Sequence, residues 1–119
     1  MRHVVALDKA YRLLNHGPVT LISAAANGRR NVMTAAWAMP LDLSPTKVAI
    51  VIDKSSFTRE LIEASGRFVI NLPSVKIAEA VLAVGLESGR ELDKFERHGL
   101  ETLPADRIEA PLIAGCVGW

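Results

Sequence analysis

The sequence predicts a mainly β domain with short helices. Three observations carry that expectation. Apolar, often β-branched runs are short and bounded by Gly, Pro and Asn, an Asn-Gly pair separates two of them, and apolar residues at helical spacing persist only briefly. With 119 residues, 50% of them hydrophobic, the chain holds one domain and can bury a core. A domain of this size buries only about two thirds of its unfolded surface, so a shared interface between copies is expected.

The elements follow in order. Leu7, Ala10, Tyr11 and Leu14 lie three and four residues apart and predict a short amphipathic helix, stopped by Asn15, Gly17 and Pro18. Val19 to Ala26 and Asn31 to Trp37 flank Asn27-Gly28, residues that tolerate the φ > 0 of a tight hairpin, and predict two antiparallel strands. Pro40 and Pro45 bracket a loop. Lys47 to Ile52 (KVAIVI) reads as a strand buried on both faces at the centre of a sheet. A short helix starts at Lys54-Ser55-Ser56-Phe57-Thr58 and ends at Gly66, a C-cap. Arg67 to Leu72 is a strand ended by Pro73. Ser74 then caps a helix over Val75 to Val84, with Val75, Ala78 and Leu82 as its apolar stripe. Ser88 to Gly99 is too polar for a core element and reads as a loop with one helical turn, and Pro111 to Trp119 reads as a final strand.

Composition excludes several functions. Lys and Arg number 14 against 13 Asp and Glu, a net charge of +1 with the charges scattered, so nucleic acid is not an expected partner. The single cysteine, Cys116, lies among apolar neighbours, where a thiolate is costly. It forms no intramolecular disulfide and suits a reducing, cytoplasmic setting. Charged residues interrupt the N-terminal segment and every long apolar stretch, so neither a signal peptide nor a membrane span is expected. His3, His16 and His98 are too widely spaced to share a helix face, so no metal site is expected. There is no GxSxG elbow, GxGxxG turn or GxxxxGK[ST] loop.

Two constellations remain. Lys54, Ser55, Ser56 and Thr58 follow a strand and open a helix, where hydroxyls, an ammonium, free backbone N–H groups and the positive helix end would meet a phosphate monoester. The alternative is that Ser56 or Thr58 simply caps the helix. Asn31, Met33, Thr34 and Ala35 lie on a strand whose side chains are small and polar, either so that a flat ligand approaches the backbone or because another sheet packs closely.

In order, GPVTLISAAANGRRNVMTAAW, SPTKVAIVI, DKSSFT, GRFVINLP, LDKFERHGL and APLI resemble the flavin reductase-like family, the FMN-binding split β-barrels that include flavoredoxin-type proteins. The resemblance runs from about Leu14 to the C-terminus. It implies an antiparallel split barrel of about six strands that forms a homodimer, with FMN at the barrel edge near the subunit boundary. By similarity, Lys54, Ser55, Ser56 and Thr58 would hold the FMN phosphate, and Asn31, Met33, Thr34 and Ala35 would line the ribityl chain and isoalloxazine. Asn71 and Lys94, the latter beside Phe95, would be further candidates for the cofactor or substrate side. The implied activity is that of an NAD(P)H-dependent flavin reductase-like oxidoreductase, in which the nicotinamide stacks on the flavin and no side-chain acid or base is required. An electron carrier without its own NAD(P)H turnover, and a shortened barrel that binds no flavin, are the other readings. Family domains carry further strands after the segment matching PLIAGCVGW. None follows Trp119 here, so residues 1 to 119 are expected to form one split-barrel domain lacking its C-terminal strands.

Overall fold

The computed structural model describes residues 3–119. Met1, Arg2 and the side chain of Tyr11, a member of the expected N-terminal stripe, lie outside the described residues. The N-terminal helix is a 3₁₀ helix, Leu7–Leu13, whose Leu7 and Leu13 are exposed. Strands β1 (Thr20–Ala26) and β2 (Arg29–Ala35) form the expected hairpin, and both turn residues, Asn27 and Gly28, take positive φ.

The next segment departs from expectation. The stretch between Pro40 and Pro45 is mostly strand: β3 (Ala38–Leu43) pairs with β4 (Thr46–Ile50) in a separate two-stranded sheet. Both strands of such a sheet are edges, and the register shifts between Pro40 and Asp42, so the missing N–H of Pro40 interrupts nothing essential. The same isolation overturns the central-strand expectation for Lys47 to Ile52. The strand has only β3 beside it in the sheet, and Val48 and Val51 remain exposed.

Helix α1 (Phe57–Ser65) ends as expected at Gly66 in the left-handed conformation. Strand β5 (Val69–Pro73) adds to the free side of β1. Ser74 accepts a hydrogen bond from the Lys76 N–H at the start of a 3₁₀ turn, Val75–Ile77, which leads into α2 (Ala78–Leu86). The expected stripe faces the wrong way. Val75, Ala78 and Leu82 are exposed, while Val81 and Val84 are buried with Ile77 and Ala80 beside them. The 3₁₀ turn breaks the helical phase, and α2 is so uniformly apolar that spacing alone does not choose a face.

The polar segment after α2 contains the expected turn, α3 (Lys94–Arg97), yet Lys94 and Phe95 are core residues. Asp93 caps this turn by accepting from the Phe95 and Glu96 N–H groups. The final run is two strands rather than one. After β6 (Thr102–Leu103), β7 (Leu112–Ile113) is separated from β8 (Cys116–Gly118) by a turn in which Gly115 takes positive φ.

The main sheet has the order β2-β1-β5-β8, antiparallel throughout, and the barrel is not closed. One face packs Leu21 and Val32 against Val81, Val84, Phe95, Leu100 and Ile113. The other packs Ala24 against Phe57 and Leu61 of α1. Fully burying each large side chain contributes about 1.5–3 kcal/mol. Asn71 ties the layers together: its amide donates to the Leu21 carbonyl (2.9 Å) and Ser23 Oγ (3.0 Å), and its Oδ1 accepts from the Ile113 N–H (2.9 Å).

Candidate functional site

Strand β2 is an edge of the main sheet, and an open edge leaves backbone groups to be covered. Asn31 and Met33 face the α1 side and Val32 and Thr34 face α2, so a cavity wrapping this edge touches both. Such a cavity exists, about 340 Å³, with Asn31, Met33 and Thr34 on the strand, Ser55, Ser56 and Phe57 on one side, and Val84 to Gly89 with Lys94 on the other.

The first wall is the loop into α1. Asp53 shapes it by accepting from both the N–H and hydroxyl of Ser55, and these bonds, the hydroxyl's first, hold its carboxyl below the usual range. Ser56 occupies the N-cap position with extended backbone but makes no side-chain cap bond; its hydroxyl contacts Met33 Sδ at 3.5 Å. The plain helix-cap alternative for Ser56 therefore fails, and among the described residues no side chain accepts from the amides of the first turn of α1. Thr58 is not a cap either. It is fully buried, and its hydroxyl accepts from the Asn31 amide at 3.0 Å, which fixes Asn31 in the cavity wall. Lys54 is exposed in the turn just ahead of Ser55.

The second wall was not foreseen apart from Lys94. Gly89 is buried so tightly against Asn31 that a Cβ there would fall 2.0 Å from Asn31 Oδ1. Arg90 fastens the two walls together: its guanidinium donates to the Ser55 carbonyl (2.8 Å) and pairs with Glu60 (2.6 Å). The bond from Arg90 holds Glu60 below the ordinary carboxylate range. Lys94 is 4% exposed, and its ammonium donates to the Val32 carbonyl at 3.0 Å and the Val84 carbonyl at 2.8 Å. Burial lowers its pKa, with Glu87 opposing. Only the glycines at 85 and 89 gave a sequence signal for this wall, since a close backbone approach favours residues without a Cβ.

Of the expected site residues, the structure brings Asn31, Met33, Thr34, Ser55, Ser56 and Lys94 onto the cavity. Thr58 stands behind it. Ala35 is buried, and its carbonyl accepts from the Thr20 hydroxyl. Asn71 lies elsewhere, its amide already bonded within the core. A larger depression of about 530 Å³ along the hairpin tip is flanked by Arg29, Arg30 and Arg90, but these are engaged by the Arg90 carbonyl, Asp93 and Glu60 respectively. Among the described residues no group of His, Cys, Asp and Glu is arranged to hold a metal, and no helix is long and apolar enough to cross a membrane.

An uncapped helix start, amide and hydroxyl groups along an open strand edge, and a buried ammonium suit a ligand with a phosphate and a flat, acceptor-rich ring. A mainly β chain with this topology and this edge cavity is of the flavin reductase-like split-barrel class. The chain belongs to the flavin reductase-like domain family, whose family model matches residues 12–119. It is similar to the FMN-binding domain of a flavin reductase-like enzyme from Shewanella baltica OS155, at 44% identity and a TM-score of 0.80, over 96% of this chain and 60% of that one. Flavoredoxin of Desulfovibrio vulgaris (Miyazaki F) matches at 30% identity and a TM-score of 0.79, over 82% of this chain and 54% of that one. YddH of Escherichia coli K12 is 45% identical over 118 residues, 97% of this chain and 62% of that protein. The chain thus spans little more than half the length of these relatives.

Proposed function

We propose that the chain is an FMN-binding oxidoreductase domain that passes electrons from NAD(P)H through bound flavin to an acceptor. The observation that carries this reading is the single cavity joining the uncapped start of α1 to the β2 edge. Its residues fit FMN. Ser55, Ser56, Lys54 and the first amides of α1 would hold the phosphate, helped by the positive helix end. Asn31, Met33 and Thr34 would lie along the ribityl chain and ring, with Thr58 fixing Asn31 from behind and Ala35 supporting the strand. Asn71 would act at a distance by holding β1 and β7 in place. FMN supplies the two-electron chemistry when bound, so the protein's part is position, exclusion of water and electrostatics.

The domain is proposed to work as a homodimer, a reading supported by the exposed apolar side chains of Trp37, Met39, Leu41 and Val51 around the β3–β4 hairpin. A cytoplasmic setting suits its one unpaired cysteine.

The test is steady-state oxidation of NADH and NADPH with added FMN. Turnover with at least one of them supports the reductase reading, and no turnover with either contradicts it. A second reading, an electron carrier between proteins, is favoured by the similarity to flavoredoxin. It predicts bound FMN that is reduced by a protein donor but not by either nicotinamide.

A further inference from the structure

Among the residues that line the cavity, Glu87 is the only acid. Its Oε2 accepts from His98 Nε2 at 2.7 Å, and its Oε1 lies 3.9 Å from Arg97 Nε. Neither partner lines the cavity. His98 instead lines a separate hollow beside Ala80 and Ala83 of α2, so the carboxylate is drawn toward the far side of the wall. His98 is firmly placed to do this: it follows α3 directly, its N–H donates to the Lys94 carbonyl at 3.1 Å, and its side chain is only 15% exposed. Glu87 follows α2 directly, with extended backbone. A carboxylate only accepts, so the ring nitrogen carries the hydrogen, and the bond orients the acid whether or not the ring is charged. The other acids around the cavity are engaged too, Asp53 by the Ser55 N–H at 2.7 Å and Glu60 by Arg90 at 2.6 Å. The charge of Glu87 does reach the cavity, since it opposes the effect of burial on Lys94.

We propose that His98, supported by Arg97, is a positioning residue that holds the Glu87 carboxylate off an anion-binding cavity and so protects affinity for a phosphate-bearing ligand. The inference rests on the FMN reading above, in which a phosphate monoester enters beside Ser55 and Ser56. A carboxylate released from His98 is free to rotate toward that phosphate, and like charges repel more strongly in a water-poor cavity than in bulk water. Charge acts at a distance where packing acts by contact, so the loss falls on the phosphate although Glu87 stands in the opposite wall. Riboflavin, which has the same ring but no phosphate, does not feel it. His98 acts through Glu87 and touches no ligand itself.

The experiment titrates FMN and riboflavin, followed by fluorescence, into the wild-type protein, His98→Ala, His98→Gln, Glu87→Gln and the double variant His98→Ala/Glu87→Gln. In His98→Ala the preference for FMN over riboflavin is expected to fall at least about fivefold, and the fall should shrink at about 1 M salt, where charges are screened within about 3 Å. His98→Gln keeps an N–H donor and is expected to restore most of the preference. On a Glu87→Gln background the His98→Ala change should leave the preference within about twofold, because there is no charge to release. A loss shared equally by the two flavins, or one that persists on the Glu87→Gln background, would make His98 a structural anchor only and overturn the inference while leaving the FMN reading intact. Failure of the wild-type protein to bind FMN, or equal affinities for FMN and riboflavin, would overturn both. Should His98→Ala not fold, Glu87→Gln alone decides: a preference within about twofold of wild type supports a carboxylate already held off the ligand, and a larger change contradicts it.

Discussion

The two walls of the cavity achieve the same end by different means. The wall formed by Asp53 to Phe57 is a turn bearing the Ser55 and Ser56 hydroxyls and leading into a helix, and its chemistry is local in sequence. The wall formed by Val84 to Lys94 contributes a glycine without room for a Cβ and a lysine at 4% exposure, each meaningful only because β2 lies against it. The first presents groups to a ligand from the surface. The second shapes the space and charges it from within. Arg90 joins them through Ser55 and Glu60, so neither wall is independent of the other.

If this division is right, substitutions in the inner wall should affect the whole ligand, and substitutions in the outer wall only its phosphate. The largest effect is expected from Gly89→Val. Its Cβ collides with Asn31 and dislodges the bond to Thr58, so affinity for FMN and riboflavin should both fall roughly a hundredfold, about 2.8 kcal/mol. Overpacking should also lower stability by about 1–3 kcal/mol. Titration of both flavins, alongside urea unfolding, checks this. Thr58→Val removes the acceptor for the buried Asn31 amide and should cost about 1–3 kcal/mol in unfolding. Asn31 then loosens, and both flavins should weaken together. An effect on FMN alone would move Thr58 into the outer wall.

Acid should act on the inner wall through Asp93. Burial pushes its carboxyl up, but the bond from Arg30 and the Glu96 and Phe95 amides outweigh that and hold it below its ordinary value near 3.8. A depressed carboxylate contributes stability that is fully present above its unfolded pKa and is lost as pH falls through the folded one. The urea midpoint should therefore decline below about pH 4, and Asp93→Asn should be less stable at neutral pH but flatter across that window. A slope unchanged by the substitution would remove Asp93 from the account. The smallest effect is expected from Ser56→Ala. Ser56 makes no cap bond, so stability should move by no more than about 0.5 kcal/mol. FMN affinity should fall by roughly threefold, about 0.7 kcal/mol, with riboflavin unchanged.

The same contrast explains what the sequence revealed. The Asn27-Gly28 hairpin, the start of α1, its Gly66 end and the Ser74 cap depend on neighbours a few residues away, so residue type and spacing sufficed. The outer wall was legible for the same reason. Thr58 looked like a further phosphate ligand because sequence alone does not reveal that its hydroxyl turns inward to Asn31, 27 positions earlier. The partners of Lys94 and Asn71 were equally hidden, lying 62 and 50 residues away. KVAIVI read as a central strand because its composition is that of one. Burial, however, depends on which strands flank it, and here it has only β3.

The central claim is that the start of α1 grips a phosphate while the β2 edge receives a ring. Parallel fluorescence titrations of the protein with FMN and riboflavin test it most directly. The account predicts that both bind, FMN tighter by at least about tenfold, or 1.4 kcal/mol. Equal affinities, or no binding of either flavin, would contradict it.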